Sequence, residues 1–181
     1  MDKTKVIVVV GPTASGKTAL GIHLAKRFNG EVVSGDSMQI YESMDIATAK
    51  PTTEEMDGIK HHLIGFVKPT DEYSVASFCE DAKKAVNEIT GKGKIPVIVG
   101  GTGLYIDSFL SNTKFLESAS SDSIKKELLL EAEKNGIENL YEQLKEIDPD
   151  AAGNIHPNNT VRGIRALEIY KTTGKTLTEQ Y

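Results

Sequence analysis

The tract Val6-Ile7-Val8-Val9-Val10 runs directly into Gly11-Pro12-Thr13-Ala14-Ser15-Gly16-Lys17-Thr18, and that junction restricts the chain more than any other stretch. A continuous β-branched run is the pattern of a strand buried on both faces, which implies a parallel sheet with helices packed over it. The glycine-spaced segment fits G-x-x-x-x-G-K-[ST], in which backbone N–H groups and the following helix N-terminus cradle a polyphosphate. On that reading Gly11 through Thr18 bind a diphosphate or nucleotide, Lys17 neutralises its charge and Thr18 ligates Mg²⁺. A glycine turn with a purely structural role is the alternative.

The rest of the first 115 residues repeats the alternation. Thr18 to Asn29 reads as a helix with Leu20, Leu24 and Phe28 four apart and Gly30 just past its end. Strands follow at Glu31–Ser34, His62–Val67 and Ile95–Val99. Ser74 caps a helix running to about Thr90, with Val75, Phe78, Cys79, Ala82, Val86 and Ile89 on its apolar face. Such an order predicts a P-loop, doubly wound α/β core over residues 1–115, with its site at the strand ends. Beyond it the strand signals cease. Helical patterns at Ser123–Asn135, Ile137–Ile147 and Thr160–Thr173, stopped by Gly136 and Gly174, predict an appended helical subdomain over 116–181, with Asp148-Pro149 as a turn or cap.

Composition narrows the class further. Among 181 residues, 21 are basic and 26 acidic, a net charge of −5, and segment 117–151 alone carries 10 acidic against 4 basic groups. That balance lacks the basic footprint that usually drives nucleic-acid affinity, so composition alone suggests no RNA partner. No apolar run approaches the roughly 20 residues of a membrane span, and Met1-Asp2-Lys3 leads straight into the first strand without a cleavage signal, so a cytoplasmic protein is expected. The single cysteine, Cys79, cannot form an internal disulfide and lies in an apolar helical pattern, where it reads as a small buried hydrophobe.

A few residues outside the loop carry chemistry. Asp36 stands just beyond the second strand, where a carboxylate could accept a proton from an attacking nucleophile, or could merely cap a turn. Thr102, in Gly100-Gly101-Thr102-Gly103 after the last strand, is either a site residue or part of a turn. An ATPase would usually end such a strand in Asp for the magnesium shell. His61-His62 lack zinc-ligand spacing and read as a structural pair. Arg162 and Arg165 share a helix face suited to gripping phosphate or to facing solvent. Lys50 is equally open, while Tyr41, Tyr105 and Phe109 read first as core.

Taken together, GPTASGKT at 11–18, GDSMQIY at 35–41, TAKP at 48–51, VGGTGLY at 99–105, and IHPNN followed by VRGIRALE at 155–168 resemble the tRNA dimethylallyltransferase, or isopentenyl-tRNA transferase, family. The resemblance covers nearly the whole chain, although family members continue well beyond this length; Ala47 stands where they usually carry Gly. It implies transfer of a dimethylallyl group from dimethylallyl diphosphate to N6 of the adenine 3′ to the anticodon, with the base flipped out of its stack. Asp36 then matches the general base and Lys17 and Thr102 join it as catalytic residues, with Mg²⁺ on Thr18. Asp36, Ser37, Met38, Gln39, Thr102, Lys125, Val161, Arg162, Gly163, Ile164 and Arg165 match tRNA-contacting positions. The partners implied are the tRNA anticodon stem-loop and dimethylallyl diphosphate, for a monomer without membrane attachment, with nucleoside triphosphate left open as a second occupant of the loop.

Two other readings stand beside it. A small-molecule phosphotransferase resembling shikimate or adenylate kinase would share the loop and Asp36, but needs an arginine-rich lid that segment 117–151 does not offer. A diphosphate- or nucleotide-binding remnant without catalysis is the other.

Overall fold

The structure, a computed structural model, describes residues 4–46, 48–113, 115 and 121–180. Met1-Asp2-Lys3, Ala47 and residues 116–120 at the expected domain boundary lie outside it. The chain divides into two compact units, residues 1–115 and 116–181.

In the first unit, β1 (Ile7–Val10), β2 (Gly30–Ser34), β3 (His61–His62) and β4 (Ile95–Gly100) form an all-parallel sheet in the order β1-β4-β2-β3. Val8 and Val33 flank Ile98 from opposite sides in register. Successive side chains alternate between faces. Val9, Val32, Val97 and Val99 therefore pack with Ala25 of α1 (Lys17–Arg27) on one face. Val33 and Ile98 pack on the other with Ala85 and Ile89 of α3 (Val75–Gly91) and Ile106 of α4 (Gly103–Leu110). Helices on both faces make the sheet doubly wound, as the strand patterns require. A short α2 (Thr53–Met56), held by a Thr52–Glu55 capping box, precedes β3.

Several details depart from the sequence reading. Helix α1 ends at Arg27, and Gly30 opens β2 instead of capping the helix; Asn29 takes the left-handed backbone at φ 50°. Of the Leu20–Leu24–Phe28 stripe only Leu24 packs against the core. Leu20 and Phe28 are about half exposed, and Gly21, Ile22 and Ala25 face the sheet, because Gly21 allows a close approach: a Cβ there would lie 2.4 Å from Val99 Cγ2. The expected strand at 62–67 shrinks to His61–His62. Leu63 and Gly65 adopt φ of 59° and 57°, which no strand permits, and pairing resumes only at an isolated Tyr41–Val67 bridge. Ser74 caps α3 as expected, accepting from the Ser77 amide, and Phe78, Cys79, Ala82, Val86 and Ile89 are buried.

The second unit is helical: α5 (Ser121–Asn135), α6 (Ile137–Ile147), α7 (Pro149–Asn154), α8 (Thr160–Thr173) and α9 (Leu177–Gln180). Leu128, Leu140, Leu144, Ile164 and Leu167 form its core. Asp148 caps α7 by accepting from the Ala151 amide, and the same carboxylate accepts from the Thr178 amide and hydroxyl, tying α9 to the α6–α7 corner. Among the described residues, no helix is long and apolar enough to cross a membrane.

Candidate active site

The phosphate-binding segment leaves β1 at Val10 and enters α1 at Lys17, the strand–loop–helix context the motif demands. Ala14 at φ 64° and Gly16 at φ 78° turn the backbone left-handed, which aims successive amides inward. A Cβ on Gly11 would lie 2.9 Å from Ser15 Oγ, so the loop closes tightly on itself. Lys17 Nζ donates to Pro12 O at 3.0 Å across the loop mouth. On the far side, a Cβ on Gly101 would stand 3.7 Å from Lys17 Nζ, which puts the Lys17 amine against the turn after β4.

That turn is fastened to the loop after β2. Thr102 Oγ1 accepts from the Ser37 amide at 3.0 Å and donates to Ser37 Oγ at 3.2 Å, while the Thr102 amide donates to Gly35 O at 3.3 Å. The approach is so close that a Cβ on Gly100 would fall 2.2 Å from Gly35 O. Asp36 lies inside this clamp. Its Oδ1 accepts from the Met38 amide at 2.9 Å and from the Gln39 amide at 3.4 Å, which leaves Oδ2 without a partner among the described residues. The turn-capping role and the free carboxylate oxygen thus coexist in one side chain. Lys17, Asp36 and Thr102 are brought together through an unbroken series of neighbours: Lys17 against Gly101, Thr102 bonded to Ser37, Asp36 adjacent.

The other expected contact residues divide. Met38 is exposed. Gln39 is buried, accepting from Ser34 Oγ and donating to Thr48 O and Ala49 O, so its amide holds the 39–49 loop instead of reaching outward. Lys125, Val161, Arg162, Gly163, Ile164 and Arg165 belong to the helical unit. Val161 is 80% exposed, and Lys125 and Arg162 are exposed, but Ile164 is 5% exposed and packs in the core, so its side chain is unavailable for tRNA. Arg165 pairs with buried Glu168 at 2.8 Å. Lys50 donates to Tyr41 O and pairs with Asp45, which fixes the same 39–50 loop. Tyr105 is core, stacked on Phe78 with ring centroids 4.7 Å apart.

The histidines play separate structural parts. His62 Nε2 lies 2.7 Å from Glu31 Oε2, and Lys92 and Lys94 reach the same carboxylate. Glu31, His62 and Glu88 could converge on a cation, but the lysines already satisfy both carboxylates. His61 Nδ1 lies 2.9 Å from Ile59 O, and burial holds its imidazole below the ordinary histidine value against that bond. Nothing in the sequence near residue 61 signals where its second nitrogen points.

The residues at the loop fit a magnesium ion. Mg²⁺ takes few protein ligands and completes its shell with water and substrate phosphate. Thr18 offers one hard oxygen at the head of α1, in a cradle built of backbone amides.

A sheet of this order, with the loop at the end of β1 and helices on both faces, defines a P-loop α/β protein. Residues 39–181 match the family described as IPP transferase, and residues 4–72 match isopentenyl transferase. The chain belongs to the IPP transferase family. It is 54% identical over 177 residues to the tRNA dimethylallyltransferase of Oceanobacillus iheyensis, covering 98% of this chain and 56% of the relative. The enzyme of that name from Acetivibrio thermocellus is 55% identical over 170 residues, 94% of this chain and 54% of its own. Among solved structures, the tRNA isopentenylpyrophosphate transferase of Bacillus halodurans shares 48% identity with a TM-score of 0.64, over 96% of this chain and 57% of that one. A eukaryotic dimethylallyltransferase acting on tRNA shares 36% with a TM-score of 0.79, over 98% and 44%. The chain therefore spans a little over half the length of the curated relatives it matches.

Proposed function

We propose that the chain carries the diphosphate-binding and proton-accepting half-site of a tRNA dimethylallyltransferase. It would move the dimethylallyl group from dimethylallyl diphosphate to N6 of the adenine 3′ to the anticodon. The observation that carries this reading is the juxtaposition of a carboxylate with one free oxygen, Asp36, and a phosphate-binding lysine, Lys17, across the Thr102–Ser37 clamp.

The chemistry follows from the placement. The bond that forms joins adenine N6 to C1 of the dimethylallyl group; the bond that breaks joins C1 to the diphosphate oxygen. An exocyclic amine is a weak nucleophile, so its proton must leave as the new bond forms, and Asp36 Oδ2 is the acceptor. The two amides on Oδ1 hold the carboxylate still. Charge accumulates on the departing diphosphate, and Lys17 with the inward-facing amides of Ser15 to Thr18 stabilises it where it develops. Magnesium on Thr18 would supply further neutralisation of that leaving group. Met38 and the exposed Lys125, Val161 and Arg162 are the side chains free to meet RNA. The same reading takes the chain as a cytoplasmic monomer, with nucleoside triphosphate as the competing occupant of the loop.

An ATP-hydrolysing enzyme is disfavoured on steric grounds. The magnesium-binding Asp that an ATPase places at the end of such a strand has no room at position 100, where even a Cβ collides with the Gly35 backbone. The deciding experiment incubates the chain with Mg²⁺, unmodified tRNA and radiolabelled dimethylallyl diphosphate. Label on the anticodon-adjacent adenine, abolished by Asp36→Asn, supports the proposal. Hydrolysis or transfer of ATP phosphate without a prenyl donor would replace it with the kinase reading, and diphosphate binding without label would leave a binding module.

A further inference from the structure

Behind the head of α1 a small cavity is lined by Thr18, Ser34, Gln39 and His61, among apolar side chains that include Val32 and Val99. Its volume of about 10 Å³ suits a single water. His61 Nε2 is fully buried and has no hydrogen-bond partner among the described residues.

The tautomer follows from the other ring nitrogen. Ile59 O can only accept, so Nδ1 carries the hydrogen and, in the neutral ring, Nε2 presents a lone pair. A buried acceptor without a donor is costly, so a partner is required. Ser34 Oγ spends its hydrogen on Gln39 Oε1 at 3.1 Å and keeps lone pairs to accept with. Thr18 has a hydroxyl hydrogen and, among the described residues, no acceptor for it, and it lines the same space.

We propose that one ordered water fills this cavity, donating to His61 Nε2 and Ser34 Oγ and accepting from the Thr18 hydroxyl, so that His61 positions Thr18 for its cation. Three hydrogen bonds are the usual complement of a buried water. The orientation matters because a hydroxyl that ligates Mg²⁺ must turn its lone pairs to the metal and its hydrogen away. In many P-loop proteins a carboxylate lies near that hydroxyl; here position 100 admits no side chain, and the His61–water pair stands in the cavity that Thr18 lines. His61 is thus a positioning residue, 43 places beyond Thr18 in sequence, acting through water on one atom. The magnesium part of this inference rests on the reading proposed above; the water itself does not.

Two measurements test it. A crystal structure of the chain at about 1.5 Å should show a water within hydrogen-bond distance of both His61 Nε2 and Thr18 Oγ1; a dry cavity, or Nε2 bonded to some other group, overturns the proposal. Calorimetric titration of Mg²⁺ into chain saturated with inorganic diphosphate should show about five- to tenfold weaker Mg²⁺ binding for His61→Leu, the loss of one hydrogen bond. His61→Gln, whose side-chain oxygen can accept from the water, should recover most of it. Metal-free diphosphate affinity should stay the same in all three, which shows that the loop is folded. Equal Mg²⁺ affinity in the leucine variant overturns the positioning role. If the unaltered chain binds no diphosphate, the proposed function fails, and the water in the crystal still decides the bridge.

Discussion

Replacing Glu31 by Gln tests the electrostatics of the sheet's lower end. Glu31 is 3% exposed, and its carboxylate accepts from His62 at 2.7 Å, Lys94 at 2.8 Å and Lys92 at 3.2 Å. Burial alone would push its pKa up; the bonds from Lys94, His62 and Lys92 outweigh burial and bring it from 4.5 to about 2. Since the folded value lies below the unfolded one, the carboxylate contributes stability that is complete above about pH 4.5 and is lost as pH falls towards 2. At roughly 1.4 kcal/mol per pH unit, the contribution at neutral pH is about 3 kcal/mol. Urea unfolding followed by circular dichroism would compare the two proteins at pH 7 and at pH 3. The stability gap between them should be about 2 kcal/mol smaller at the lower pH, whatever constant cost the amide itself introduces. A gap of the same size at both pH values would refute the argument, because it would mean that Glu31 acts through shape and not through charge.

Other outcomes follow from the site. Lys17→Ala should abolish diphosphate binding by calorimetry, while Asp36→Asn, which keeps an oxygen for the Met38 amide, should leave binding nearly intact and slow prenyl transfer by about 10²-fold or more in single-turnover assays. Thr102→Val removes both bonds to Ser37 and should lower turnover more than it lowers diphosphate affinity, read from the same pair of measurements. Gly100→Ala forces a methyl onto the Gly35 carbonyl and should cost about 1–3 kcal/mol in urea unfolding, with transfer activity falling alongside.

Much of the α/β unit was legible because its signals are local. The β-branched run at 95–99 and the apolar periodicity of 75–89 each reflect burial of a single element, and each element is where the pattern puts it. The run at 6–10 also forms its strand, but at the sheet's edge, where Val9 is buried and Val10 is 62% exposed, so it is not buried on both faces as its pattern suggests. The 62–67 stretch misled because hydrophobicity is shared by strands and by irregular buried loops, and the positive φ of Leu63 leaves no mark in composition. The face of α1 misled for a related reason: the sheet selects Gly21 for closeness of approach, which an apolar stripe does not encode. Helix α4 went unread because its eight residues follow a glycine turn and are apolar nearly throughout. At the site, the loop was readable from its spacing. The Ser37–Thr102 clamp was not, since it joins residues 65 positions apart, and neither was the cavity that His61 shares with Thr18.

The contact between Gly35 and Gly100 also bears on how such a sequence can vary. A Cβ at 35 would meet the side chains of Ile106 and Ile98, whereas one at 100 would meet the Gly35 backbone itself: a side chain at 100 demands that the tips of β2 and β4 part, which would carry Asp36 away from the turn that faces Lys17. In a mutational library, position 100 should therefore hold to glycine, whereas exposed Met38 two residues beyond Asp36 should change freely without disturbing the fold. The seam thereby separates what the chain must keep to hold its carboxylate from what it can alter to suit a different acceptor.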